Sequence, residues 1–317
     1  MLLGSKNNAC LDEQTGVACR KNALLMRSRM IQEIRHFFLD QSYLEVETPL
    51  LIPAPAPEAH IDSVEAGFLY LQTSPELCMK RLLSAGYSKI FQFCKCFRNG
   101  ERGNRHMPEF TILEWYQTGI GYESLMEECE ALILWASRQL GFGESITYQG
   151  IEIDLRSPWE RIPVAKAFDR YSSLTMDKAL EEQCFDEILV NDIEPQLGLT
   201  NPTFLYDYPA SQAALARLKP SDHRFAERFE IYIVGLELAN AFSELTDATE
   251  QRTRFESDQQ LRRDLGKKVY PMPERFLQSL KHMPESAGIA LGVDRLAMIF
   301  NDRVKIDDVV CFAPEEL

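Results

Sequence analysis

Apolar residues recur at helical spacing between Asn22 and Phe38, at Leu24, Leu25, Ile31, Ile34, Phe37 and Phe38. That pattern predicts an amphipathic helix. YLEVETPLL then alternates and reads as a strand ended by Pro49, and IPAPAPEAH (52–60) is a proline-punctuated loop. LYLQTS (69–74) predicts a strand, and PELCMKRLLSAG (75–86) a helix opened by Pro75 and closed by Gly86. KIFQFCKCFR and FTILEWYQTG predict two strands around a loop rich in charge. Residues 122–140 read as helix, 145–155 as strands and 164–192 as helices; 195–227 are left without an assignment. RFEIYIVGLELANAFSELTD (228–247) reads as strands around Gly235, followed by a helix over 249–264. GIALGVDRLAMIF (288–300) is a strand–glycine–helix transition. Neighbouring antiparallel strands with helices in separate blocks predict an α+β fold rather than a doubly wound one.

Composition narrows the class. The chain has 317 residues, enough for one large domain or two ordinary ones, with 45% hydrophobic and 26% charged residues. No apolar run reaches the ~20 residues that span a bilayer, and the N-terminus lacks a signal-peptide layout, so a cytoplasmic protein is expected. Residues 1–20 read as an irregular lead-in to a domain covering 21–317. Eight cysteines are scattered without a C-x-x-C pair, which fits reduced thiols better than zinc or a disulfide framework. Cys94 and Cys96 would share one face of a strand. The net charge of −14 gives no overall field to attract nucleic acid, although the arginine-rich loop could form a local basic patch.

Three stretches together resemble the class II aminoacyl-tRNA synthetases. The 22–38 helix with FLDQSYLEVETPLL is similar to motif 1, FRNGERGNRHMPEFTILEWY to motif 2, and GIALGVDRL to motif 3. PEFTILEWY, LELANAFSELTDATEQ and GVDRL are closest in kind to the lysyl-tRNA synthetases. The resemblance covers roughly residues 20 to 315. Too few residues precede motif 1 for the anticodon-binding OB-fold of those enzymes, which needs five strands. This layout resembles the truncated lysyl-tRNA synthetase paralogues that attach (R)-β-lysine to a lysine of elongation factor P. Ala290, where lysyl-tRNA synthetases usually carry glycine, fits those paralogues and implies a pocket altered in favour of the β-isomer over lysine.

The resemblance implies ATP and Mg2+ as reactants, a homodimer through motif 1, elongation factor P as acceptor and tRNA as an unlikely partner. Activation joins two anions, a carboxylate and the α-phosphate, so fixed cations are needed there. Arg98 is implied to bridge them, and Arg295 to cover the adenine and reach the γ-phosphate. Asn99, Gly100, Met107, Glu237, Leu238 and Gly292 are implied ATP contacts. His106, with Arg105, would face the outer phosphates, and Phe110 would stack under the adenine. Glu230 and Glu237 are implied to hold magnesium. Ser74, Glu76, Glu114, Tyr116, Asn240, Glu244 and Ala290 would form the amino-acid pocket, Glu244 and Tyr116 at the terminal amine and Glu76 and Glu114 at the amine nearer the carboxyl.

Plainer readings compete. Arg98 could be a solvated hairpin arginine, His106 a surface residue, Glu76 a helix-start acid favoured by the dipole, and Tyr116 core packing. Gly100 stands where motif 2 usually has an acidic residue, a part the adjacent Glu101 could take, Met107 replaces an asparagine and Ala241 a glycine; none of these departures removes a charge-bearing catalytic group. A tRNA-charging enzyme and a non-catalytic paralogue are the alternative functions.

Overall fold

The computed structural model of the chain describes residues 17–317. Most of the expected lead-in therefore lies outside the described residues, and 17–19 are helical. In chain order the elements are α1 (Lys21–Asp40), β1 (Leu44–Glu45), β2 (Leu51–Ile52), β3 (Glu65–Ala66), β4 (Leu69–Leu71), α2 (Glu76–Ser84), β5 (Lys89–Phe97), β6 (Glu109–Thr118) and α3 (Tyr122–Leu140). Then come β7 (Ser145–Tyr148), β8 (Ile151–Asp154), β9 (Glu160–Pro163), α4 (Val164–Tyr171), α5 (Met176–Glu181), α6 (Phe185–Ile188), β10 (Thr203–Pro209) and β11 (Leu218–Lys219). The chain closes with β12 (Asp222–Ile233), β13 (Leu236–Ser243), α7 (Ala248–Asp264), α8 (Glu274–Leu280), β14 (Ser286–Gly292) and α9 (Val293–Phe300).

One large sheet runs β1-β5-β6-β14-β13-β12-β10-β9, with β11 beside β12. Its inner pairs are antiparallel, and parallel pairs occur only near its edges, at β1–β5 and β9–β10. The architecture is α+β, as the pattern predicts. Two expectations shorten. The motif 1 strand is reduced to Leu44–Glu45, because the chain leaves the edge of β5 toward Pro49 and the prolines that follow cannot donate to a ladder. The 69–74 strand stops at Leu71, where the chain turns into α2. The unassigned stretch holds β10, β11 and the first half of β12.

Strand alternation divides the sheet into two faces. Phe91, Leu113 and Trp115 point to one side and meet Met30, Ile34 and Phe38 of α1 and Leu125, Cys129 and Leu132 of α3 in the main core. Phe38 stacks on Phe91 with ring centroids 4.9 Å apart and tilts against Trp115 at 5.1 Å. Each such buried side chain contributes about 1.5–3 kcal/mol. Helices α4–α6 make a second cluster on the β9–β10 edge, and α2, α7 and α8 a third beside β5 and β6. The other face of the central strands stays open.

Candidate active site

Register aligns the open face into rows. One row crosses five strands: Gln92, Glu114, Ala290, Asn240 and Glu230 lie opposite one another in turn. The next row runs Ile90, Tyr116, Gly288, Phe242 and Arg228. On β14 the residues facing this side are Gly288, Ala290 and Gly292, whereas Ala287, Ile289 and Leu291 join the core. The middle strand thus presents only small side chains, and a cavity of about 640 Å³ opens above it. Adding a Cβ at Gly288 would bring it within 2.2 Å of the Tyr116 ring and 2.6 Å of a Glu244 oxygen. Gly288 therefore lets Tyr116 lie across the strand.

Cations line one end of this cavity. Arg98 stands at the end of β5 with its guanidinium carbon 5.1 Å from the Phe110 ring centroid. Its nearest carboxylate oxygen is that of Glu101 at 3.9 Å, and its buried Nε has no partner among the described residues. Arg295 donates to the Glu237 carbonyl at 2.8 Å and carboxylate at 3.1 Å, and its Nη2 lies 2.6 Å from His106 Nε2. Burial and the charge of Arg295 hold the His106 imidazole below its ordinary value, so it stays neutral near pH 7. Burial pushes the Glu237 carboxyl up, but the Arg295 charge and hydrogen bond, with Arg98 and Arg228, outweigh it and keep it below the usual value. Arg105 donates to the Gly235 carbonyl at 3.1 Å. Asp294, beside Arg295, accepts from the Thr111 backbone N–H at 2.7 Å and from Arg27 at 2.6 Å. That pair ties α1, β6 and α9 together and fixes the base of Arg295.

Acids line the other end. Glu114 accepts from Ser74 Oγ at 2.6 Å and from Tyr116 Oη at 2.7 Å. Burial, with Glu76 adding its charge, raises the Glu114 carboxyl to about 8. Glu76 accepts from Lys80 Nζ at 2.5 Å, and Lys80 also pairs with Glu244. Burial drives Lys80 down, but the two carboxylates more than compensate and it stays charged. Burial lifts Glu244 to about 8 against the pull of Lys80. Glu244 lies on the same face as Tyr116, against Gly288 and Lys80; at 1% exposed it is covered and does not line the cavity, whereas Glu76, Glu114, Tyr116, Asn240 and Ala290 do.

Glu230 is held by hydrogen bonds from three side chains. One of its oxygens accepts from Arg228 at 2.7 Å, and the other from Tyr208 and Tyr232 at 2.6 Å each. A carboxylate has about four acceptor positions, so these three donors leave one open. Among the described residues no group of three His, Cys, Asp or Glu side chains is placed to hold a metal unaided. Glu237, whose recorded partner takes one oxygen, still fits a site completed by phosphate oxygens. The sequence reading missed Lys80, Arg228 and Glu58. Only the helical i, i+4 spacing of Glu76 and Lys80 offered a signal; the other two are set by tertiary approach. Asn99, Gly100 and Met107 sit with Arg98 along motif 2, and Gly292 and Leu238 border the cavity beside Arg295. Cys94 and Cys96 share a face with their sulfurs 3.6 Å apart, and the described cysteines are free.

A sheet with this strand order, motif 2 arginine and motif 3 arginine has the construction of a class II synthetase catalytic domain. The model of the family tRNA synthetases class II (D, K and N) matches residues 16–316, and the chain belongs to that family. Within it, the chain is 42% identical over 306 residues to the elongation factor P–(R)-β-lysine ligase of Proteus mirabilis, covering 91% of this chain and 94% of that protein. It is 42% identical to the ligase of the same name from Haemophilus influenzae strain PittGG, covering 92% and 94%. With the one from Hamiltonella defensa it shares 40% identity, over 92% and 95%.

Proposed function

We propose that the protein is an ATP-dependent ligase that activates (R)-β-lysine as an aminoacyl-adenylate and transfers it to the ε-amine of a lysine of elongation factor P. The observation that carries this reading is one cavity with two opposite ends: a guanidinium without a close carboxylate partner at Arg98, and the carboxylates of Glu76 and Glu114 across the small-residue strand. A substrate with a carboxylate at one end and ammonium groups at the other fits that polarity. The relatives' shared name supports the choice of amino acid and acceptor.

Arg98 holds the substrate carboxylate against the α-phosphate, offsetting the repulsion of two anions as the new P–O bond forms. Arg295, His106 and Arg105 face the outer phosphates, and pyrophosphate departs toward them. Phe110 and Arg295 sandwich the adenine, and Asn99, Gly100, Met107, Leu238 and Gly292 border the nucleotide. Ser74, Glu76 and Glu114 receive the amine nearer the carboxyl. Tyr116, Asn240 and Glu244, the last from beside the Tyr116 ring, receive the terminal amine. Ala290 shapes the space between for the β-isomer. Magnesium held by Glu237 and the phosphates would neutralise charge on the pyrophosphate leaving group.

The exposed leucines Leu25, Leu39, Leu44, Leu50 and Leu51 on α1 and the segment after it support a homodimer through motif 1. No helix among the described residues is long and apolar enough to cross a membrane, and an acceptor that serves translation supports a cytoplasmic site of action. ATP–pyrophosphate exchange with a panel of amino acids tests the first step. Exchange should be fastest with (R)-β-lysine and slower with lysine; no exchange with either contradicts the reading.

A further inference from the structure

A second cavity, of about 280 Å³, reaches Ser74 and Glu76 from another side, and Glu58 lines both it and the larger one. Its outer end is marked by the exposed Pro53, Arg81 and Glu274, and its walls by Ala56, Leu77 and Met272. The result is an apolar passage with a carboxylate at its inner end.

Glu58 is held in place from behind. Arg262, fully buried, donates to the backbone carbonyls of Glu58 at 2.7 Å and Ile61 at 3.0 Å and to Asp62 at 2.6 Å. The Asn99 N–H of motif 2 donates to the Asp62 carbonyl at 2.6 Å. The Glu58 backbone is thus tied to the loop that carries Arg98, while its carboxylate has no hydrogen bond or ion pair among the described residues. The charged groups facing it are Arg98 from β5, Glu76 from α2, Asp258 from α7 and Arg228 from β12. Burial raises its carboxyl to about 7, against the pull of Arg98, which suits a group that exchanges protons at neutral pH.

We propose that this second cavity admits the acceptor lysine side chain and that Glu58 takes the proton from its ε-ammonium. The inference rests on the adenylation-and-transfer reading above. A lysine side chain has an apolar stem and a cationic tip, the polarity of this passage. The larger cavity is filled at that stage by the adenylate, so an approach past Ser74 and Glu76 reaches the acyl group without crossing the nucleotide. Glu58 accepts one proton, the freed amine attacks the acyl carbon, the C–N bond forms, and the acyl C–O bond breaks with its electron pair leaving on AMP. The second proton lost from nitrogen passes to solvent.

The test measures exchange and transfer side by side with full-length protein, ATP, (R)-β-lysine and elongation factor P. Exchange doubles as the check that each variant is folded. In Glu58→Gln the ratio of transfer to exchange should fall about 100-fold, with Glu58→Asp recovering part of it. The rise of wild-type transfer through about pH 7 should vanish in Glu58→Gln. Ala56→Phe, narrowing the passage, should lower the same ratio at least ~10-fold. A ratio in Glu58→Gln within about threefold of wild type overturns the base assignment, and the same result in Ala56→Phe overturns the passage. Absence of exchange in the wild type overturns the underlying reading and the proposal with it.

Discussion

On β5 and β6, Phe91, Leu113 and Trp115 face helices α1 and α3, whereas Glu114 and Tyr116, one position along from Leu113 and Trp115, face the cavity, with the buried Gln92 on the same side of the sheet. The helical side is a continuous apolar layer with stacked rings. The cavity side carries buried carboxylates, a buried ammonium at Lys80 and a strip of glycine and alanine on β14. Buried charge without compensation is destabilising, so the layer behind the sheet must supply the stability that the site in front of it lowers. Substitutions on the two sides should accordingly separate: those behind alter stability and leave binding intact, and those in front do the reverse.

Arg98→Ala is the largest expected effect on the front. Adenylate formation should fall at least ~1000-fold, with the melting temperature nearly unchanged, as read by exchange and calorimetry. Trp115→Ala is the counterpart behind. It should cost about 3–5 kcal/mol of stability by denaturant unfolding, while the protein that remains folded keeps its amino-acid KM. Loss of amino-acid binding there, with stability preserved, would break the comparison.

Gly288→Ala sharpens it on a single strand. The added methyl would meet the Tyr116 ring and Glu244, so the amino-acid KM should rise ~10-fold or more while the ATP KM moves little. An equal rise in both would place Tyr116 outside the amino-acid pocket.

The smallest effect is one of pH. Burial holds the Glu114 and Glu244 carboxyls at about 8, whereas an unfolded chain releases such protons near ~4.3. Between those values the folded state binds more protons, so these two groups make stability fall as pH rises through the window. A dicationic amino acid favours their ionised forms, so its affinity should improve from about pH 6 to about pH 8, with proton release on binding. Calorimetric titration in two buffers of different ionisation enthalpy would read that release.

The helical side was legible in the sequence because its signal is periodic: helix spacing in α1 and α3, alternation in β5 and β6. The small residues at 288, 290 and 292 were visible as letters, and only register showed that they form one floor. Glu58 and Arg262 are 204 positions apart and meet through a loop with no periodicity, so no local pattern could pair them. The resemblance implied a magnesium role for Glu230, but the hydrogen bonds that hold its carboxylate were not legible: Tyr208, one of the donors, lies in the stretch left without a pattern.

The acceptor decides the central claim. The protein would be incubated with ATP, magnesium and (R)-β-lysine, with elongation factor P in one reaction and bulk tRNA in another, the first followed by intact mass and the second by acid gel. The account predicts elongation factor P heavier by one lysyl residue, no mass change with Arg98→Ala, and uncharged tRNA. Charged tRNA beside unmodified elongation factor P would contradict it.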